Sequence, residues 1–357
     1  MGGVSVSGWL RTFRIRSTAT LLLTLLSPLA AYAQQMPPDL ATFLRDQIGL
    51  TSWELASARR GEVVAKVLPS EKQEVAVFGI VLVKASADFF VERFRDIESY
   101  KKGTPVLLVR KFSDPPRIED LDQLNVDKKD FIALKNCKIG DCNVKLSAET
   151  IVRLRKEIDW NAPDASEQVN QLARVSLLEY ARRYLVGGNM ALSEYNDKTK
   201  PQRIADEFDA ILKASPYIYD YEPEFYEYLR EYPAKHLDSL DGFIYWSIEK
   251  FGLKPVISVT HVSIYRRPGS GHTLIASKQI YASHYFEASL GLTDVVVPPQ
   301  QQEPSFYLIY LNRSRSDALH GGFSGLARGQ VKSRARSGLE KNMGIIKLSI
   351  ENLYRRN

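Results

Sequence analysis

The chain has 357 residues, of which 44% are hydrophobic, 25% charged and 10% aromatic, a make-up that excludes disordered, collagen-like and disulfide-dense classes. That length allows one large domain or two modest ones, and a mean hydropathy of −0.23 excludes a multi-span membrane protein. The formal charge of +6 and a pI near 9.0 are mildly basic, so the position of that charge along the chain has to be located first.

Arg11, Arg14 and Arg16 precede the apolar run ATLLLTLLSPLA (19–30), and Ala31-Tyr32-Ala33 offers the small residues of a signal-peptidase site. The run is shorter than the roughly 20 residues a bilayer core needs, and Pro28 interrupts it. A secretory signal peptide over 1–33, cleaved after Ala33, is therefore expected, and with it a periplasmic or secreted location. Gln34, and not a cysteine, stands directly after the cleavage point, which argues against a lipid anchor. Cleavage would leave 324 residues and take away three arginines and no acid, lowering +6 to +3.

Residues 38–60 have helix spacing through Leu40, Phe43, Leu44, Ile48 and Leu55, and Gly61 ends them, so 34–73 is expected as an N-terminal helical segment. EVAVFGIVLVK (74–84) is almost continuously apolar and valine-rich, the pattern of a strand buried on both faces. Ser86 then caps a helix through Phe89, Phe90, Phe94 and Ile97, and PVLLVRKF (105–112) returns to strand. Cys137 and Cys142 are the only cysteines, and in an oxidising compartment a close pair around a Gly-Asp turn predicts a disulfide stapling a hairpin over 131–146. Their C-x4-C spacing departs from the C-x-x-C of thiol oxidoreductases and zinc sites.

Three helical patterns follow over 147–215, each opened by Ser or Pro, with Gly187-Gly188 as a break, then the aromatic stretch YIYDYEPEFYEYLREY (217–232). LDSLDGFIYWSIEKFG (237–252) also reads as a helix, so 147–250 is expected as a helical insertion. Strands are predicted at 255–267, 272–286 and 305–313. A long final helix repeats Leu339, Met343, Ile346, Ile350 and Leu353, leaving the basic residues on its other side.

The segment VLVKASADFFVERFRDIESYKKGTPVLLVRKF (81–112), with Ala85, Ser86, Phe90, Phe94, Asp96, Glu98 and Tyr100 at its characteristic places, resembles the opening unit of the START-like (helix-grip, SRPBCC-type) superfamily. The likeness extends over about 74–112 and 255–350. It implies an α+β fold in which a curved antiparallel sheet wraps a long C-terminal helix, with 74–146 and 251–357 forming the domain around the helical insertion. It also implies a cavity between sheet and helix for a hydrophobic small molecule or lipid.

Alternate residues of 272–286 mark the polar side of such a cavity: Ser277, Gln279, Tyr281, Ser283 and Tyr285, with His261 on the preceding strand. Leu274, Ala276, Ile280 and Ala282 mark the other side, with Lys278 an exception. Support for catalysis is thin, and no catalytic residue is assigned. His236, His261, His272, His284 and His320 form no tight metal-ligand spacing, so no metal is expected. HGGFSG (320–325) does not make a nucleophile elbow, because Leu326 stands where the last glycine should, and the glycines match no nucleotide-binding loop, so no cofactor is expected. An enzyme using Tyr281, His261 or His284 as acid/base groups stays open as one alternative, and an envelope protein that binds a partner through the helical insertion as another. Asn312-Arg313-Ser314 also fits a glycosylation sequon.

From Arg313 to Asn357 ten basic residues face three acids, a net +7 that leaves 34–312 at −4. A solvated helix face is the ordinary reading of such a run. Contact with an anionic membrane surface is the functional one, and nucleic acid is not an expected partner. Oligomeric state is not legible.

Overall fold

The computed structural model describes residues 36–316 apart from 104, 253, 300 and 301, then 319 and 325–357. The signal-peptide segment and the 320–324 glycine loop lie outside the described residues.

The fold is α+β: an eight-stranded antiparallel sheet and a long C-terminal helix. The strands are β1 (Val64–Val67), β2 (Glu74–Val83), β3 (Val106–Lys111), β6 (Leu240–Lys250), β7 (Pro255–Arg266), β8 (His272–Ala282), β9 (Phe286–Val296) and β10 (Phe306–Ser316). They lie in the order β1-β2-β10-β9-β8-β7-β6-β3, and every pairing is antiparallel. A two-residue ribbon, β4 (Glu194–Tyr195) with β5 (Gln202–Arg203), stands apart. The helices are α1 (Pro38–Asp46), α2 (Ser52–Arg59), α3 (Ala87–Arg95), α4 (Ile97–Tyr100), α5 (Lys128–Lys135), α6 (Ala148–Glu157), α7 (Ala165–Gly187), α8 (Ile204–Lys213), α9 (Pro216–Tyr221), α10 (Pro223–Glu231) and α11 (Gly325–Tyr354).

Both faces of the sheet are covered, which explains why β2 is apolar at nearly every position. Ala76, Phe78, Ile80 and Leu82 point to one side, into a core with residues of α1, α2, α8 and α10. Val81 and Val83 point to the other, where they join Phe90 and Phe94 of α3, Phe306 and Leu308 of β10, and Met343 and Ile350 of α11. We call this second side the helix face and the first the opposite face. A Cβ on Gly79 would run into Met343 Sδ and lie 3.2 Å from Leu339, so glycine is what lets α11 approach β2.

The sequence expectations need four corrections. The first concerns 237–252, which is not a helix; its middle is β6, paired to β7 and β3. Leu237, Leu240, Phe243, Ile244 and Ile248 mimic helix spacing, yet Ile244 and Trp246 face one side and Tyr245 the other, a period of two. The sheet therefore takes up the last eleven residues of the expected insertion.

Second, the expected helical segment 34–73 is not helical throughout: residues 38–60 form two helices, and β1 lies within the segment, paired with β2. Gly49 has φ +72°, and Thr51 opens α2 with a capping box, its Oγ1 accepting from Glu54 N and its N–H donating to Glu54 Oε2 at 2.8 Å. Third, the first half of the expected Cys hairpin is α5, capped by the Asp127 carboxylate. The Cys137–Cys142 disulfide is present and closes the turn just beyond that helix. Fourth, 272–286 is not one strand. It ends as β8 at Ala282, turns through Tyr285 at φ +63°, and the chain returns as β9, a strand that sequence patterning missed.

Candidate functional site

The helix face carries different residue types at its two ends. Toward Val83 and Phe306 it is packed solid by α3, α4 and the second half of α11. Toward Val75 and Ser316 the first half of α11 stands over a cavity of about 780 Å³. Its floor comes from five adjacent strands: Ser258 and Thr260 of β7, Ser277 and Gln279 of β8, Ser289 and Gly291 of β9, Asn312, Ser314 and Ser316 of β10, and Val75 and Val77 of β2. These are small or neutral polar side chains, too short to reach the helix and fill the space.

The roof is one stripe of α11, through Arg328, Val331, Arg334, Ala335, Gly338, Leu339 and Asn342, at the three- and four-residue steps that keep side chains on one helix face. A Cβ on Gly338 would meet nothing within 4 Å, so the helix does not need glycine there for packing. At one side Phe251 and Phe286 meet edge to face at 5.1 Å.

The floor is knit together by its own bonds. Asn312 Nδ2 donates to Ser289 Oγ at 3.2 Å, Ser314 Oγ donates to Asn312 Oδ1 at 2.8 Å, and the two serine hydroxyls lie 2.8 Å apart. Asn312 is thus a cavity residue and does not present its amide outward as a sequon asparagine would. Gln279 Oε1 is buried with no hydrogen-bond partner, an acceptor left open at the cavity floor. At the far edge Lys101 Nζ donates to Glu249 Oε1 at 2.6 Å and to Tyr245 Oη at 3.3 Å. Burial works to lower the Lys101 pKa, but Tyr245 and Glu249 outweigh it and hold the ammonium above its usual range.

The residues singled out from sequence divide between the two faces. Ser277, Gln279 and Tyr285 line the cavity. Tyr281 and Ser283 do not. A β-bulge makes Gln279 pair with Thr260 but Tyr281 with Val259, so Ile280 is an extra residue, and Tyr281 and Ser283 change sides before the turn at Tyr285. Tyr281 accordingly sits with Tyr180 and Tyr195 beside a small space of about 80 Å³ under α7, its hydroxyl donating to Lys145 O at 3.1 Å. Ser283 lines the same small space.

His261 also lies on the opposite face, its Nδ1 3.0 Å from Tyr184 Oη and its ring against Tyr232. Burial, helped by the charge of Lys278, pushes its pKa down to about 3. Lys278 is itself buried there, bonded to Asn189 Oδ1 and set over the Phe208 ring at 3.8 Å, and burial holds its pKa well below the lysine range. His284 Nε2 lies 2.7 Å from Asp130 Oδ2, and Lys254 Nζ bonds the other oxygen of that carboxylate at 3.0 Å. None of the three groups considered for acid/base chemistry, Tyr281, His261 and His284, lines the large cavity. Among the described residues no cluster of three or more His, Cys, Asp or Glu side chains suits a metal ion.

The basic C-terminus is likewise divided, against the expectation of one solvated face. Arg313 is buried on the opposite face against Glu74 at 2.5 Å, and Arg315 against Glu207 at 2.5 Å. Arg336 Nε donates to Ala65 O and Lys347 Nζ to Leu82 O, fastening α11 to β1 and β2. Arg328 and Arg334 overlook the cavity.

Sequence reasoning missed Val75, Val77, Lys101, Glu249, Asn312, Ser314 and the α11 stripe. One signal was available: Tyr310, Asn312, Ser314 and Ser316 alternate as strictly as the 277–285 stripe. No known family model matches the chain, and no curated protein matches it.

Proposed function

We propose that the protein binds a small amphipathic molecule, such as a lipid or a largely apolar compound, in the cavity between the sheet and α11, as an exported carrier of START-like type. The observation that carries this reading is the space of about 780 Å³, within the roughly 300–1,000 Å³ of small-molecule sites, left between the sheet and a helix because the floor side chains are too short to fill it. Val75, Val77, Val331 and Leu339 supply apolar surface, while the serines, Asn312 and Gln279 supply polar groups that fix orientation. Tyr285 and Phe286 sit where the β8–β9 turn meets the cavity edge, consistent with an entrance there. The Cys137–Cys142 disulfide suits an oxidising compartment and thereby the export reading.

The test is to purify the full chain, extract it with organic solvent and identify co-purifying amphiphiles by mass spectrometry, then titrate the delipidated protein with the neutral dye Nile red. A bound amphiphile near one per chain, and saturable dye binding lost in Gly338→Leu, is the expected result. A protein that carries nothing and binds no dye overturns the reading.

A further inference from the structure

We infer that the ligand of this cavity carries an anionic head group, a carboxylate or a phosphate, which pairs with Arg334 of α11; the inference rests on the binding reading above.

The charges around the cavity are one-sided. Its lining holds four cations, Lys101, Lys250, Arg328 and Arg334, against the single carboxylate of Glu249. Glu249 is already engaged, accepting from Lys101 and from Ser247 Oγ at 2.7 Å. A cationic ligand would therefore find no available carboxylate, and the floor of serines, Thr260, Asn312 and Gln279 carries no charge. Arg334 has no acidic partner among the described residues, and its place between Val331 and Gly338 on the roof stripe turns it to the cavity. Arg328 lies on the same stripe and adds to the positive field over the mouth, whatever else it contacts.

A guanidinium at the rim of such a cavity is suited to a planar carboxylate or a phosphate, which it can hold through two parallel N–H bonds. The apolar side chains nearest in the fold complete an amphiphile site. Val75 and Val77 on β2 and Val331, Ala335 and Leu339 on α11 form an apolar strip between strand and helix. The stripe from Arg328 to Asn342 runs roughly 20 Å along the helix at ~1.5 Å per residue. Arg334 lies near the middle of that stripe, so a head group paired with it leaves about 12 Å of helix, at ~1.5 Å per residue, for the first part of the tail toward Leu339 and Asn342, where Tyr310 and the packed half of α11 close the cavity.

The experiment measures displacement of Nile red from the delipidated full chain by four probes: palmitate, lysophosphatidic acid, hexadecanol and hexadecylamine. The expected result is that at least one anionic probe competes about tenfold or more better than hexadecanol, that Arg334→Gln abolishes this preference, and that Arg334→Lys restores part of it. The relative strength of palmitate and lysophosphatidic acid identifies the head group as carboxylate or phosphate. Thermal melts of both variants should match the parent, because the Arg334 side chain is exposed and bonded to nothing described. Equal competition by hexadecanol, or an anion preference that survives Arg334→Gln, overturns the inference and leaves the binding reading standing. Failure of all four probes and of the dye itself overturns the binding reading, and the inference with it.

Discussion

The two faces of the same sheet solve opposite problems with residues one step apart. On β10, Arg313 and Arg315 point to the opposite face and are buried in ion pairs, while Asn312 and Ser314 between and beside them look into the cavity. On β8, Lys278 is buried among Phe208 and Tyr184, while its neighbours Ser277 and Gln279 line open space. On these two strands the charged residues thus lie in the filled layer and the neutral polar ones face the cavity. Buried charges are tolerated where helices bring partners to them, as α8 brings Glu207 to Arg315, and short neutral side chains need no such cover. What separates the filled face from the face with the cavity here is side-chain length and the presence of a second layer, and polarity alone would assign the two faces the wrong way round.

Four measurements can break or sharpen that contrast. The largest difference should be between Phe78→Ala and Ser277→Ala. Phe78 is fully enclosed on the opposite face, so its truncation should cost about 3–5 kcal/mol in urea unfolding. Ser277→Ala should stay within about 0.5 kcal/mol, as for a surface site. Similar costs for the two would mean the helix face is packed after all.

The second effect is on pH. His261, beside Tyr184, Tyr232 and Lys278, has its pKa lowered from 6.5 to about 3 in the fold. Between those values the unfolded chain takes up a proton that the folded protein refuses, so this stability is complete above pH 6.5 and is lost as pH falls toward 3, by a few kcal/mol in all. In denaturation curves at pH 7 and pH 4, His261→Asn should lose less stability on acidification than the parent; an identical loss would falsify the dry, sealed description of this face.

Third, Gly79→Val should cost about 1–3 kcal/mol by pushing against Met343 and Leu339, and should loosen α11. Hydrogen exchange along 339–350 would show the loosening as faster exchange, and unchanged protection would place the helix anchor elsewhere. The smallest effect is of opposite sign. Gly338→Leu replaces a mid-helix glycine over open space and should stabilise the protein by about 0.5–1 kcal/mol while obstructing the cavity. A variant that melts higher yet binds less would separate the fold's requirements from the ligand's.

Much of the fold was legible where a pattern is local. β2 showed as an unbroken valine-rich run, α3 through its Ser86 cap and spaced phenylalanines, and the disulfide through the only two cysteines. The failures share one cause. The 237–252 stretch satisfies helix and strand periods at once, and only pairing with β3 and β7 selects the strand. The polar stripe of 277–285 is continuous in sequence, but the bulge at Ile280 transfers Tyr281 and Ser283 to the other face, and nothing local announces it.

By itself the sequence determined the class: an α+β chain with a valine-rich strand, a capped phenylalanine helix, a short disulfide and a long amphipathic C-terminal helix, because each of these follows from side-chain spacing over a few turns or residues. The tertiary structure alone decided which polar residues share a cavity and which are sealed away. Ser258, Ser277, Ser289 and Asn312 come from four strands and become neighbours only through cross-strand register, and Arg334 joins them only because Gly79 admits the far end of α11 to the sheet. Register and close approach are set by long-range packing, which no window of local sequence contains.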